Sequence, residues 1–356
     1  MSYVVAIGGA TGNVGRTMRE ILEQRHFPVS RLYLLASERS SHEKRSFRFR
    51  GKDIVVSNLA NHNFADTDFL FLSTGGENSR HISPHAASQK CFVIDNSSAF
   101  RMEEACPLIV PEINGDLVSD SLARGQYIFP VANCSTIQLT MILKPLNDFV
   151  PIRRVVVSTY QSCSGGGKAL LNRLMNETLS ANGSSKSLAQ ASREAEIHGA
   201  PKPLAHNVIP HIDTFLSNGS TKEEWKMEVE TRKILATPTL QLSATCVRVP
   251  TFTGHAEAVN IEFENTILEE DLRRLLSTFP GIKIKDLREN CVYSTPLDAQ
   301  GCDEVFVSRI RPDRSAKNTY NLWIVSDNVR KGAALNAVQI AEQLVACGVK
   351  AKSTCK

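Results

Sequence analysis

Tyr3-Val4-Val5-Ala6-Ile7-Gly8-Gly9-Ala10-Thr11-Gly12-Asn13-Val14-Gly15 decides the fold. A short apolar run ends in glycines, and apolar residues at helical spacing follow: Val14, Met18, Ile21 and Leu22. Strand, glycine turn and helix in that order form a site for a phosphate diester. The turn is tight, the backbone comes close to the pyrophosphate, and the helix N-terminus faces it. The spacing is G-x-x-G-x-x-G, a variant of the commoner G-x-G-x-x-G, and it predicts dinucleotide binding.

Working outward, Leu32–Ala36, Ile54–Val56, Phe69–Leu72 and Phe92–Asp95 are short and apolar, with turn or polar residues between them. A helix over His85–Gln89 and its flanks fits between two of them. Alternation of this kind predicts a parallel sheet buried on both faces. After about residue 133 the texture changes. Arg154–Tyr160, Gln241–Val249, Ala258–Phe263, Glu304–Ile310 and Asn321–Ser326 read as strands, several with one-sided alternation, separated by helical stretches near 167–182, 188–197, 222–235 and 268–277. This predicts an α+β domain with an antiparallel sheet. The polar segment 178–190 reads as a flexible loop. Lys331–Cys347 is helical again, with Ala334, Val338, Ala341 and Val345 on one stripe that must dock elsewhere.

The chain has 356 residues, 41 Lys+Arg against 37 Asp+Glu, 42% hydrophobic and 22% charged residues. That composition suits two globular domains and excludes disorder as a description of the whole. The small net charge gives no surface for nucleic acid. The basic stretch Lys44–Lys52 has no aromatic platform and reads as a hairpin edge. No apolar run approaches the ~18 residues of a membrane helix. The start has no basic region before its apolar run, which predicts a chain without a secretory signal and a cytoplasmic location. Nine cysteines, none in C-x-x-C spacing, predict free thiols and no structural metal.

One cysteine differs. In Val131-Ala132-Asn133-Cys134-Ser135-Thr136-Ile137-Gln138 the thiol stands at the start of an apolar helical run, where the dipole and free N–H groups favour thiolate. Asn133 and the first N–H groups of the helix could hold an oxyanion. His255, in a turn between two strands, is the candidate base. His206 and His211 read as structural polar groups. The second strand ends Leu35-Ala36-Ser37-Glu38-Arg39-Ser40-Ser41. Arg39 with the serines suits the 2′-phosphate of NADP(H), provided that Glu38 points away. A Cys–His pair beside a dinucleotide suggests thioester formation followed by hydride transfer.

Further segments carry a specific likeness: Ile94-Asp95-Asn96-Ser97-Ser98-Ala99-Phe100-Arg101, Pro107-Leu108-Ile109-Val110-Pro111-Glu112-Ile113-Asn114, Ser158-Thr159-Tyr160-Gln161-Ser162-Cys163-Ser164-Gly165, Lys222-Glu223-Glu224-Trp225-Lys226, Arg248-Val249-Pro250, Gly254-His255 and Ser326-Asp327-Asn328-Val329-Arg330-Lys331-Gly332. With the glycine loop and Asn133-Cys134-Ser135-Thr136, the chain resembles the aspartate-semialdehyde dehydrogenase family, in order, from residue 4 to about residue 345. The resemblance implies an α/β protein. A Rossmann-type NADP-binding domain (residues 1–132 with 328–356) is paired with an α+β catalytic and dimerisation domain (residues 133–327), and the last helix returns to the first domain.

The implied activity is NADPH-dependent reduction of L-β-aspartyl phosphate to L-aspartate 4-semialdehyde with release of phosphate. It belongs to the aspartate pathway to lysine (through diaminopimelate), threonine, methionine and isoleucine. By the resemblance Cys134 is the nucleophile, His255 the acid/base, and Gln161 positions the acyl group. Arg248 takes the α-carboxylate, Glu223 the amine, and Arg101 and Lys226 the phosphate. Gly9, Thr11, Gly12, Asn13, Val14, Arg39, Ser40, Ser164, Gly165 and Asn328 touch NADP. The implied partners are the small substrate, inorganic phosphate and a second copy of the chain, with a tetramer as the larger assembly. No metal, nucleic acid or membrane is implied. Ala132, Ala256 and Cys163 depart from the family pattern without removing a chemical group. N-acetyl-glutamyl-phosphate reductase uses the same thioester logic, but its acetylated amine needs no acidic partner, so Glu223 argues for the aspartyl substrate.

Overall fold

The computed structural model describes residues 2–43, 45–180, 185–198 and 200–352. The chain divides into two compact units, residues 1–137 with 233–236 and 329–356, and residues 138–232 with 237–328.

The first unit holds β1 (Tyr3–Gly8), α1 (Asn13–Gln24), β2 (Val29–Ala36), α2 (Glu38–His42), β3 (Ser46–Phe49), β4 (Lys52–Asn58), β5 (Phe69–Leu72), α3 (Gly76–Ser88), β6 (Phe92–Asp95), α4 (Pro111–Asn114), α5 (Leu117–Ala123) and β7 (Ile128–Pro130). Its sheet runs β3-β4-β2-β1-β5-β6-β7. Every pair is parallel except the β3–β4 hairpin at the edge. The central strands are apolar because both faces are covered: all four residues of β5 are buried. Gly9 has φ +81, and a Cβ there would run into the Ser73 carbonyl, so the turn after β1 admits only glycine. Of α1, Gly15, Met18, Ile21 and Leu22 are buried. Lys44 of the expected hairpin stretch lies outside the described residues.

The chain passes into the second unit within α6 (Cys134–Phe149). There follow β8 (Ile152–Gln161), α7 (Gly167–Ser180), α8 (Ser185–His198), α9 (Lys222–Leu235), β9 (Gln241–Arg248), β10 (His255–Phe263), α10 (Glu269–Thr278), β11 (Ile282–Ile284), α11 (Pro296–Ala299), β12 (Val305–Pro312) and β13 (Thr319–Ser326). The second sheet runs β11-β12-β13-β10-β8-β9. Its four middle strands are antiparallel, but β8–β9 and β11–β12 are parallel. The sheet is therefore mixed rather than purely antiparallel.

The loop expected over 178–190 is largely helical. α7 runs to Ser180 and α8 starts at Ser185, while residues 181–184 lie outside the described residues. Ion pairs at helical spacing, such as Arg173–Glu177, support α7, and the polarity of this region marks helix faces in water.

The final segment belongs to the first unit. It opens with a π-helical turn, Arg330–Ala334, and continues as α12 (Leu335–Ala346). Leu335, Ala337, Val338, Ile340, Ala341 and Leu344 are buried, a wider apolar surface than the single stripe read from the sequence. Arg25 makes a bidentate bond to Glu342 at 2.8 and 2.7 Å, which ties α12 to the end of α1.

Candidate active site

In the first unit, β1, β2 and β5 end around a cleft of about 590 Å³ lined by Gly9, Thr11, Gly12, Ser37, Glu38, Ser40, Asn58 and Thr74, among others. Glycine backbone at the start of α1 and hydroxyls at the start of α2 suit a phosphate-bearing dinucleotide. Asn13 and Val14 form the first turn of α1. Glu38 lines the cleft, whereas Arg39 is exposed on the same turn and is not among the lining residues. Whether Glu38 turns away, as a 2′-phosphate on Arg39 requires, is a matter of the bound state. Asn58, Thr74 and Asn78 also reach the cleft, and no local sequence signal marks them.

Cys134 begins α6. Asn133 caps that helix: its Oδ1 accepts from the N–H groups of Ser135 (3.0 Å) and Thr136 (3.3 Å). Two of the N–H groups expected to serve an oxyanion are thus committed to the cap, and the donor half of Asn133 is its Nδ2. Cys134 is partly exposed and forms no disulfide. Cys91, Cys106, Cys163 and Cys246 are buried, as expected of core thiols, and Cys355 lies outside the described residues. Cys163, one departure from the family pattern, packs with Leu174, Leu204 and Ala205. Ala132 and Ala256 are buried too, Ala256 beside Phe306 and Val325.

Arg101 is buried, and its Nη2 donates to the Asn96 carbonyl at 3.0 Å. Lys233 Nζ donates to the carbonyls of Arg101, Glu103 and Cys106 at 2.8–2.9 Å and so orders the segment that carries Arg101. Asp95, at the end of β6, accepts from Ser79, Ser83 and Ser97 beneath the same segment; burial raises its pKa.

The second unit gathers Gln161, Glu223, Lys226, Arg248 and His255. Gln161, the last residue of β8, donates from Nε2 to Glu223 Oε1 at 3.1 Å and accepts from Thr159 Oγ1 at 3.1 Å. Glu223, in the first turn of α9, pairs through Oε2 with Lys226 Nζ at 3.0 Å. Lys226 also pairs with Asp213 at 2.7 Å. Burial opposes its charge, but the two carboxylates prevail and raise its pKa. Nothing in the sequence links Asp213 to Lys226. Arg248 donates from Nη1 to the Ser162 carbonyl at 2.5 Å.

His255 is not in a turn. The turn ends at Gly254, with φ +85, and His255 is the first residue of β10, opposite Ser326 of β13 and fully buried. Burial and the Arg248 charge lower its pKa to about 3, against the opposing pull of Glu223. His206 and His211 are exposed rather than built into the core, and His211 stacks on Phe215 at 4.3 Å. Ser164 and Asn328, expected at the cofactor, bond to each other and to Ser162 beside His255.

A family model for the semialdehyde dehydrogenase NAD binding domain matches residues 4–121, and one for the semialdehyde dehydrogenase dimerisation domain matches residues 143–331. An aspartate-semialdehyde dehydrogenase of Aquifex aeolicus is 46% identical, covering 98% of this chain and all of its own length. The chain belongs to the aspartate-semialdehyde dehydrogenase family. The Bacillus subtilis member is 42% identical, with 96% of each chain covered. The crystal structure of aspartate semialdehyde dehydrogenase II from Vibrio cholerae superposes with a TM-score of 0.87 at 42% identity, covering 98% of this chain and 100% of that one. A second structure of that protein is a complex with ASA and fits equally well. The match to the family's NAD binding domain spans the glycine turn and the residues around the cleft, and supports a nicotinamide cofactor for this chain. Among the described residues no group of three or more His, Cys, Asp or Glu could hold a metal ion, and no helix is long and apolar enough to cross a membrane.

Proposed function

We propose that this chain catalyses the NADPH-dependent reductive dephosphorylation of L-β-aspartyl phosphate to L-aspartate 4-semialdehyde, as the names of its relatives suggest, in the aspartate pathway to lysine, threonine, methionine and isoleucine. The observation that carries the substrate class is the buried Glu223 carboxylate, held by Gln161 and Lys226, in the same unit as the Arg248 guanidinium. His255 feels both charges. A carboxylate for an amine and a planar guanidinium for a carboxylate fit an unmodified α-amino acid. The Vibrio cholerae complex with ASA supports the same reading. An N-acetylated substrate would leave Glu223 facing an uncharged amide.

Cys134 attacks the acyl phosphate, a C–S bond forms as the C–O bond to phosphate breaks, and inorganic phosphate leaves. The start of α6 favours the thiolate that this attack needs. Arg101 and Lys226 hold the phosphate and Gln161 positions the acyl group. A bound nicotinamide dinucleotide supplies hydride for the resulting thioester. His255 serves the acyl oxygen as charge develops there.

Gly9, Thr11, Gly12 and Ser40 would hold the cofactor, with the first turn of α1 and with Arg39 on the 2′-phosphate of NADP. Ser164, Gly165 and Asn328 would approach its nicotinamide end. The dimerisation-domain match supports a homodimer. The proposed compartment is the cytoplasm, whose reducing conditions keep a nucleophilic thiol free.

The reverse assay tests the whole reading. Aspartate semialdehyde, phosphate and NADP should yield NADPH absorbance with the native chain. Cys134→Ser should yield none while still binding cofactor, because a hydroxyl is rarely ionised near neutral pH. No absorbance change with the native chain, or full turnover in the variant, would overturn it.

A further inference from the structure

The two nitrogens of the His255 ring meet different surroundings. Nδ1 lies 3.1 Å from the main-chain nitrogen of Ser162 and 3.1 Å from its hydroxyl. Nε2 is buried without a hydrogen-bond partner, 3.4 Å from the point that a Cβ on Gly165 would occupy. A backbone N–H can only donate. The Ser162 N–H therefore requires a lone pair on Nδ1, and the proton of the neutral ring belongs on Nε2.

A second backbone group fixes the far end of the same network. Gly254 N–H donates to Asn328 Oδ1 at 3.0 Å, which makes that atom the amide oxygen and leaves Nδ2 to donate to Ser164 Oγ at 2.9 Å. Ser162 Oγ and Ser164 Oγ are 2.9 Å apart. With both ends set, one continuous run of protons is open: Asn328 to Ser164, Ser164 to Ser162, Ser162 to His255 Nδ1. The two hydroxyls also lie 3.2 and 3.0 Å from Asn328 Oδ1, the acceptor they would turn to if the ring moved its proton to Nδ1. That reversal would set Nδ1–H against the Ser162 N–H.

We propose that Ser162 is a positioning residue. Through its N–H and hydroxyl it holds His255 as the neutral Nε2–H tautomer, so the ring meets the reacting acyl oxygen as a hydrogen-bond donor. Through its carbonyl it aims Arg248. The proposal rests on the reading of His255 as the group that serves that oxygen. Arg248 and Glu223 are the charged groups that act on the ring, and burial adds to Arg248 in disfavouring imidazolium. A ring in this state has no lone pair on Nε2 with which to take a proton from a thiol. His255 is thus a donor to oxygen and not the base that ionises the nucleophile.

The test is nitrogen NMR of the full chain with labelled histidine, the His255 signals being assigned by their loss in His255→Asn. The native ring should show the neutral Nε2–H pattern from about pH 5 to about pH 8, the range in which an ordinary histidine titrates. Asn328→Asp places a group that only accepts at the head of the chain. It should reverse the hydroxyls, populate Nδ1–H and bring the ring into titration in that window.

Ser162→Ala should lower kcat about tenfold, the worth of one ordinary hydrogen bond. KM for the cofactor should be unchanged, and Ser162→Thr should restore the rate. A native ring that carries its proton on Nδ1 or titrates in that window would overturn the proposal. So would Ser162→Ala with unchanged kcat. The spectra need no turnover, so a chain inactive in the reverse assay would defeat the proposed function and leave the tautomer result to stand or fall alone.

Discussion

Gly332 lies directly against Cys134: a Cβ at position 332 would stand 2.7 Å from the Cys134 Cβ and 3.2 Å from its Cα. The π-helical turn Arg330–Ala334 thus packs on the first residue of α6 with no room for a methyl group. Overpacking of this kind costs about 1–3 kcal/mol. Gly332→Ala should lower the melting temperature, slow alkylation of Cys134 and reduce turnover together. Alkylation at the native rate would mean that the turn yields without disturbing the nucleophile.

The cofactor cleft sets up a contest between neighbours. Glu38 lines it, and Arg39 stands outside it on the same turn. If Arg39 swings to a 2′-phosphate, Arg39→Ala should raise KM for NADPH by tenfold or so and leave that for NADH unchanged, since charge-assisted bonds are among the stronger ones. Glu38→Gln should improve NADPH binding by removing a like charge. Equal effects of Arg39→Ala on both cofactors would assign the phosphate to another group.

Two buried or half-buried arginines have separate assignments. Arg101 is seated on the Asn96 carbonyl in the first unit, and Arg248 on the Ser162 carbonyl in the second. In the reverse assay Arg101→Leu should chiefly raise KM for phosphate, and Arg248→Leu should chiefly damage use of the semialdehyde. Equal damage to both substrates from either variant would refute the division.

Much of this was legible in the sequence because its signals are local. The glycine turn, the all-apolar strands and a cysteine opening a helix are each readable within about a dozen residues. Apart from His255, the site in the second unit is readable only through the family resemblance. Gln161 meets Glu223 across a long stretch of chain, and Asp213 meets Lys226 through a fold that no periodicity announces. Ser162 carries no signal in the sequence, because most of its role lies in backbone groups that every residue has. His255 read as a turn residue because Gly254 precedes it, although the ladder to Ser326 begins at once. The segment 178–190 read as a loop because polarity marks a solvated helix face as readily as a turn.

Lys331 carries the adjoining part of the first unit. It is fully buried, with Nζ 2.7 Å from Glu112 and 2.9 Å from Gln339. Burial alone would raise the Glu112 pKa, but Lys331 and Gln339 outweigh it and the net shift is downward. A carboxyl whose folded pKa is depressed contributes stability above its unfolded pKa and loses it as pH falls through the folded value. Unfolding midpoints should therefore drop on acidification below about pH 4.5, near the ordinary pKa of glutamate. Lys331→Met, which strands the carboxylate, should cost about 3–5 kcal/mol at neutral pH. A variant as stable as the native chain at neutral pH would show the pair to be dispensable.

Glu257 poses the opposite case. It is fully buried on β10, two residues from His255, with Gln138 as its polar neighbour, and neither carboxyl oxygen forms a well-aligned hydrogen bond. Burial raises its pKa well above the usual value, and Gln138 only partly counters this. The sign is then reversed. In the unfolded chain the carboxyl ionises as pH passes the ordinary glutamate value of about 4.3, while in the folded chain it keeps its proton. The unfolded state gains from each further rise in pH, so the folded state loses stability until the folded group also ionises. Glu257→Gln has nearly the same shape and no proton to lose. It should match the native chain near pH 4 and become progressively more stable than it as pH rises toward 8, a trend that denaturant unfolding at a series of pH values would read directly. A difference that stays constant across the series would mean that Glu257 is ionised in the folded state, with Gln138 as a stronger partner than its alignment suggests.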